Sequence, residues 1–159
     1  QQAEASLSDL LRLATHSVLA GVSVYYPSPG SADYQRCRDD GLLPEALSLY
    51  RSTALPISGS PGTSRLQAVT LWRLGRVVNF IKSLLDQGLK LPAPAPLPGS
   101  LPEPQLRRQE AGIRLLAALR HDGEVRGLTP EGEVYIHPSD RTLMGGFVQG
   151  LRHTSLQGS

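Results

Sequence analysis

One cysteine, one methionine, one tryptophan and two lysines in 159 residues leave several chemistries without their usual side chains. A lone Cys37 forms no intramolecular disulfide, which fits a reducing compartment and gives a cytoplasmic location as the expectation. The four histidines are scattered at 16, 121, 137 and 153, so the clustered Cys and His of a zinc site are missing. Neither a metal nor a cofactor is therefore expected. No apolar run approaches the roughly 18 residues of a membrane span. The chain begins Gln-Gln without Met, the pattern of a processed or excised chain, so a targeting segment upstream would fall outside it. Aromatics make up only 5%, so the core has to come mostly from Leu, Val and Ala.

Hydrophobic residues at 40% and charged residues at 19% fit a folded globular chain of one domain over 1–159. Net charge is +2, but it is unevenly spread. Residues 1–50 hold three Arg against six acids, and residues 51–91 hold six cations against Asp86 alone. Residues 92–159 balance. The acidic first third and the basic middle complement each other, within the chain or between chains.

Hydrophobic spacing gives a mainly α fold of four to five helices around a long central one. Leu7, Leu10, Leu11, Ala14 and Val18 place a helix over 6–21, started by a capping-box-like Ser6 and Asp9 and stopped by Gly21. Val22, Val24 and Tyr26 alternate as in a short strand, and 28–41 is polar and reads as a loop. Residues 42–53 read as a short helix with Pro44 in its first turn. The strongest pattern covers 64–87. Ser64 and Gln67 form a capping box, a stripe of Leu, Val and Ile follows, and Gly88 sits where a terminating glycine belongs. Arg73, Arg76, Asn79, Ser83 and Gln87 form its polar stripe. Such a helix is about 36 Å long.

The segment 92–104 holds six prolines and reads as an extended connector or strap. It separates a helical part, 1–91, from a helix–hairpin–helix part, 105–159. The latter comprises a helix at 105–121, a hairpin at about 124–137 around Thr-Pro-Glu-Gly, and a helix at 141–152 capped by Asp140 and weakened by Gly145, Gly146 and Gly150. Helix followed by hairpin is also the order of the back half of a winged helix. The tail from Thr154 reads as frayed.

The stretch Ser58-Gly-Ser-Pro-Gly-Thr-Ser64 looks like a phosphate loop but lacks its chemistry. A Walker loop places Lys directly after its second glycine, and here Thr63 follows Gly62. Pro56 also spoils the strand that should precede it. What remains is a helix entry at which Ser60, Thr63 and Ser64 form an anion-binding candidate, with simple capping as the plainer reading.

Catalysis finds little footing. No nucleophile elbow is present. Asp39 and Asp40 sit in a polar segment, and Glu131 and Glu133 flank a turn, so both pairs read as solvated. Cys37 lies between Arg36 and Arg38, which favours its thiolate, but a reactive thiol also needs a base nearby. The expectation is a binding module and not an enzyme. The first reading is DNA or RNA binding, as a dimer, through Arg65, Arg73, Arg76 and Lys82 with Trp72 on the central helix, and through Arg107, Arg108 and Arg114 on the next. The alternative is a protein-interaction module, either a homodimer or a structural subunit of a pilus or secretion apparatus. Residues 1–27, QQAEASLSDLLRLATHSVLAGVSVYYP, resemble the stretch that follows the membrane half-helix of type IV pilins. That family's pair of cysteines is missing here, and the second half of the chain follows another pattern, so the resemblance assigns no family.

Overall fold

A computed structural model of the chain describes residues 2–14, 16, 18–22, 27–43, 63–102 and 107–153. Among them are five helices: α1 (Gln2–Leu13), α2 (Ala32–Asp39), α3 (Arg65–Asp86), α4 (Arg108–Asp122) and α5 (Arg141–His153). A hairpin of β1 (Arg126–Leu128) and β2 (Val134–Ile136) lies between α4 and α5. The chain is mainly helical with a small antiparallel hairpin near the C-terminus, as its patterning requires.

Helix α3 forms where the pattern is clearest. Ser64 Oγ accepts from the Gln67 backbone N–H, and Gln67 Oε1 accepts from the Ser64 N–H, which closes both halves of the capping box. At the other end Gly88 takes a left-handed φ of 72°, which only glycine adopts without strain. The N–H of Leu89 then reaches the Leu84 carbonyl and that of Gly88 reaches Leu85, a Schellman closure. Leu74, Val78, Ile81 and Leu84 face inward and are almost wholly buried. Each contributes about 1.5–3 kcal/mol of transfer free energy.

Helices α1 and α5 complete the core. Ala3, Leu7, Leu10 and Ala14 follow a 4-3-4 spacing and are buried, as are Leu143, Met144, Phe147 and Leu151. Both helices pack on α3 and on each other. The glycines of α5 have a packing use that their low helix propensity conceals. Gly146 faces Leu7, and Gly150 faces Leu11, so the two leucines seat in notches left by missing Cβ atoms. Gly145 is different: it is exposed, helical, and a Cβ there meets nothing within 4 Å. Gly145→Ala is expected to raise stability by about 0.5–1 kcal/mol, seen in calorimetry as a Tm increase of about 2 °C. The same change at Gly150 is expected to bring no gain, because the new methyl would run into Leu11.

Three elements depart from the sequence reading. Helix α1 covers 2–13, not 6–21. Ser6 is no cap but an interior residue whose hydroxyl donates back to the Gln2 carbonyl at 3.2 Å. The chain leaves the helix near His16, whose Nδ1 lies 2.7 Å from the Arg12 carbonyl oxygen. The polar stretch 28–41 is also not all loop. It contains α2, started by Ser31 accepting from the Tyr34 N–H and tied along its length by Gln35 to Asp39 and Arg36 to Asp33. No residue of α2 is buried, so it shows no apolar periodicity. Helix α4 starts at Arg108 instead of 105, with no side-chain cap at Arg107. Most of the strand reading from Val22 to Tyr26, most of the helix reading at 42–53, Ser60 and the tail from 154 lie outside the described residues.

Segments without regular structure are fastened to the helices by specific polar contacts. Asn79, on the stripe read as polar, grips the backbone of Ala20. Its Oδ1 accepts from the Ala20 N–H at 2.7 Å, and its Nδ2 donates to the Ala20 carbonyl at 2.8 Å. The proline-rich segment runs extended beside α4, where the Ala95 N–H reaches the Ala117 carbonyl at 3.1 Å and the buried Arg120 donates to the Pro92 carbonyl. Thr70 on α3 is wholly buried and joins two elements. Its hydroxyl donates to the Leu66 carbonyl and accepts from the Asp140 N–H at 2.8 Å. Asp140 in turn caps α5, its Oδ1 accepting from the Leu143 N–H at 2.9 Å. This chain of bonds fixes where the hairpin ends and α5 begins.

Candidate nucleic-acid interface

The hairpin register is the geometric basis of the site. Arg126 pairs with Ile136, Gly127 with Tyr135 and Leu128 with Val134. Thr129 N–H bonds the Glu133 carbonyl, and His137 N–H bonds the Val125 carbonyl. In an antiparallel ladder this phase makes Gly127–Tyr135 a bonded pair, so the side chains of Glu133, Tyr135 and His137 share one face. The turn between the strands closes with Gly132 N–H on the Thr129 carbonyl at 3.0 Å, as the Thr-Pro-Glu-Gly chemistry predicts.

Gly127 decides where the rings lie. A Cβ built there would stand 2.5 Å from the Tyr135 ring and 3.0 Å from His137 Nε2. Both rings therefore lean over the glycine, with centroids 4.9 Å apart at an interplanar angle of 74°. The Tyr135 side chain is held from beneath while the residue remains 44% exposed.

Helix α3 meets this face with Arg73. Its Nη1 donates to the Pro138 carbonyl at 2.5 Å, so the residue is anchored where the chain leaves β2. Its Nε is buried with no hydrogen-bond partner. Burial holds its pKa below the ordinary value, opposed by the nearby Tyr135. On the same helix Trp72, the residue before Arg73, and Arg76, nearly one turn after it, stack, with the Arg76 guanidinium carbon 4.7 Å from the indole centroid. The His137 imidazole is pushed below 6.5 mainly by burial and further by the positive charges of Arg73 and Arg76. Both guanidinium groups therefore act on the ring, and the Arg73–Pro138 bond ties the Trp72–Arg76 pair of α3 to the Tyr135–His137 pair of the hairpin in one aromatic and cationic group.

That depressed imidazole has a consequence for stability. The unfolded chain binds a proton near pH 6.5, whereas the folded chain resists it. Stability linked to His137 is thus complete above pH 6.5 and is lost as the pH falls from there toward the lowered folded value. Denaturant unfolding at pH 7.5 and 5.5 is expected to show a larger acid loss for the native chain than for His137→Asn. The difference should stay below about 1 kcal/mol, because solvent screens a partly exposed site.

The other residues singled out in the sequence are dispersed. Lys82 is buried at 9% exposure, and its ammonium pairs with Asp86 at 2.6 Å. Arg65 is exposed in the first turn of α3. Arg107 pairs with Glu110 at 3.4 Å, while Arg108 and Arg114 are exposed on α4. Ser64 is occupied as the α3 cap, and Thr63 beside it is half-buried. Cys37 is half-buried on α2, with its neighbours Arg36 and Arg38 turned to Asp33 and Asp39. Among the described residues no three His, Cys, Asp or Glu side chains gather as metal ligands, and no helix is long and apolar enough to cross a membrane.

Sequence reading named Trp72, Arg73 and Arg76 but missed Tyr135 and His137. Gly127 inside a strand was the available signal, since an interior strand glycine marks close approach of another group. Comparison of the chain with protein-family models, with curated proteins and with solved structures gives no match.

Proposed function

We propose that the protein is a non-enzymatic module that binds single-stranded nucleic acid at the Trp72–Arg76–Tyr135–His137 cluster. The observation that carries this reading is the Arg73 bond to the Pro138 carbonyl, which brings the α3 cations to the strand bearing the half-exposed Tyr135 ring, some 60 positions away. Single strands offer unpaired bases with open π faces and a charged backbone. A ring braced from below and a guanidinium already stacked on indole are surfaces on which bases stack, at about 1–3 kcal/mol per base. Arg73 and Arg76 supply the charge that phosphates need. A duplex hides its base faces and would meet the charge alone.

Fluorescence anisotropy of labelled single- and double-stranded oligonucleotides tests it, in DNA and RNA, at two salt concentrations. The expected result is preference for single strands and weakening with salt, with a logarithmic slope of about −1.5 to −2 for two or three neutralised phosphates. Absence of binding at low salt, or binding that Arg76→Glu leaves unchanged, would overturn the assignment.

A further inference from the structure

The outer edge of β2 is a second surface, on the opposite side of the strand from β1. The ladder phase turns the N–H and C=O of Tyr135 toward Gly127, so those of Val134 and Ile136 point away from the hairpin. Among the described residues these four groups have no backbone partner. The strand carries three consecutive large side chains, all exposed, with Ile136 at 56%. Neither a lysine nor an internal proline guards it, the usual means by which an edge is protected.

We infer that this edge pairs with β2 of a second copy of the chain, antiparallel about a two-fold axis through Tyr135. The register follows from the groups available. Centred on Tyr135, Val134 of each copy meets Ile136 of the other, and all four outward groups of each strand are bonded. A register centred on Ile136 would set Val134 against Pro138, which has no N–H. One centred on Val134 would set Ile136 against Gly132, inside the turn.

Charge supports the same pairing. On the ring face, Glu133 of one copy comes opposite His137 of the other, beside Arg73 and Arg76. A carboxylate thus comes to the imidazole and to the guanidinium charges of α3 that act on it, twice by symmetry. On the other face Val134 and Ile136 form two apolar cross-strand pairs. The Tyr135 rings lean back over Gly127 of their own chain, so pairing leaves their outer faces open. The product is a four-stranded sheet with the two aromatic and cationic clusters on one side of it.

Sedimentation equilibrium of the full chain, without nucleic acid, over concentrations up to about 0.5 mM tests this. The expected result is a reversible monomer–dimer equilibrium. Ile136→Pro removes an outward N–H and leaves the inward ladder intact, so it should weaken the dimer at least about tenfold while the helical circular dichroism is unchanged. Glu133→Lys, an exposed change with no demand on folding, should weaken it too, and adding His137→Glu to the same chain should restore it. A chain that stays monomeric throughout overturns the inference. So does a dimer that Glu133→Lys leaves untouched, since such a dimer uses another surface.

Discussion

Phe147→Ala is expected to lower the free energy of unfolding by about 3–5 kcal/mol. Phe147 has no exposed surface and is the largest of the fully buried side chains. It sits on α5 in line with Leu143 and Leu151, where α5 faces both α1 and α3. Truncation removes the transfer energy of the ring and leaves a cavity bounded by three helices. Those helices cannot close on it freely, because Leu7 and Leu11 are already seated against Gly146 and Gly150. Domains of this size hold about 5–15 kcal/mol in total, so the loss is at least about a fifth of the stability and, toward the lower end of that range, most of it. Urea titration should show a lower midpoint with an unchanged slope. A loss under about 1 kcal/mol would mean that α5 is not part of the cooperative core. Phe147→Leu should recover most of the loss, since it refills much of the volume.

The behaviour of α5 shows what the sequence can and cannot say. Its start is legible from Asp140, whose capping role needs only local chemistry. Its glycines look like defects until the partner helix is in place. Then Gly146 and Gly150 become the surface that receives Leu7 and Leu11, and only Gly145 keeps the cost that propensity assigns. Helix α3 was legible from end to end because cap, apolar stripe and terminating glycine agree. Helix α2 was not, because it buries nothing and so carries no periodic signal. The start of α1 was misplaced because Ser6 and Asp9 satisfy a local capping rule that the packing of Ala3 overrides. Polar residues misled in the same way. Asn79 and Arg73 read as solvent-facing, yet each satisfies backbone groups of a segment some 60 residues distant, and no local pattern announces that.

Combining Arg76→Glu with Tyr135→Ala is expected to reduce affinity for single strands by about 30- to 1,000-fold, equivalent to about 2–4 kcal/mol. The two residues belong to different elements and meet only through the fold. Tyr135 is half-exposed, so its loss removes a stacking surface at small cost to stability. Arg76 is exposed and touches Trp72, so its reversal removes a phosphate contact and the stacked guanidinium while setting a like charge against the backbone. If both act on one bound strand, the single changes each weaken binding. Arg76→Glu should also flatten the salt dependence by about one phosphate, whereas Tyr135→Ala should leave the salt slope unchanged, since a neutral ring releases no counterion. That contrast separates stacking from charge in a way a general loss of structure would not. An equal flattening by both variants would instead mean that Tyr135 acts by positioning Arg73, whose guanidinium lies beside it and is tied to Pro138. Retention of full affinity by the double variant would remove the cluster as the binding surface. The exposed arginines of α4, Arg108 and Arg114, would then be the next to reverse.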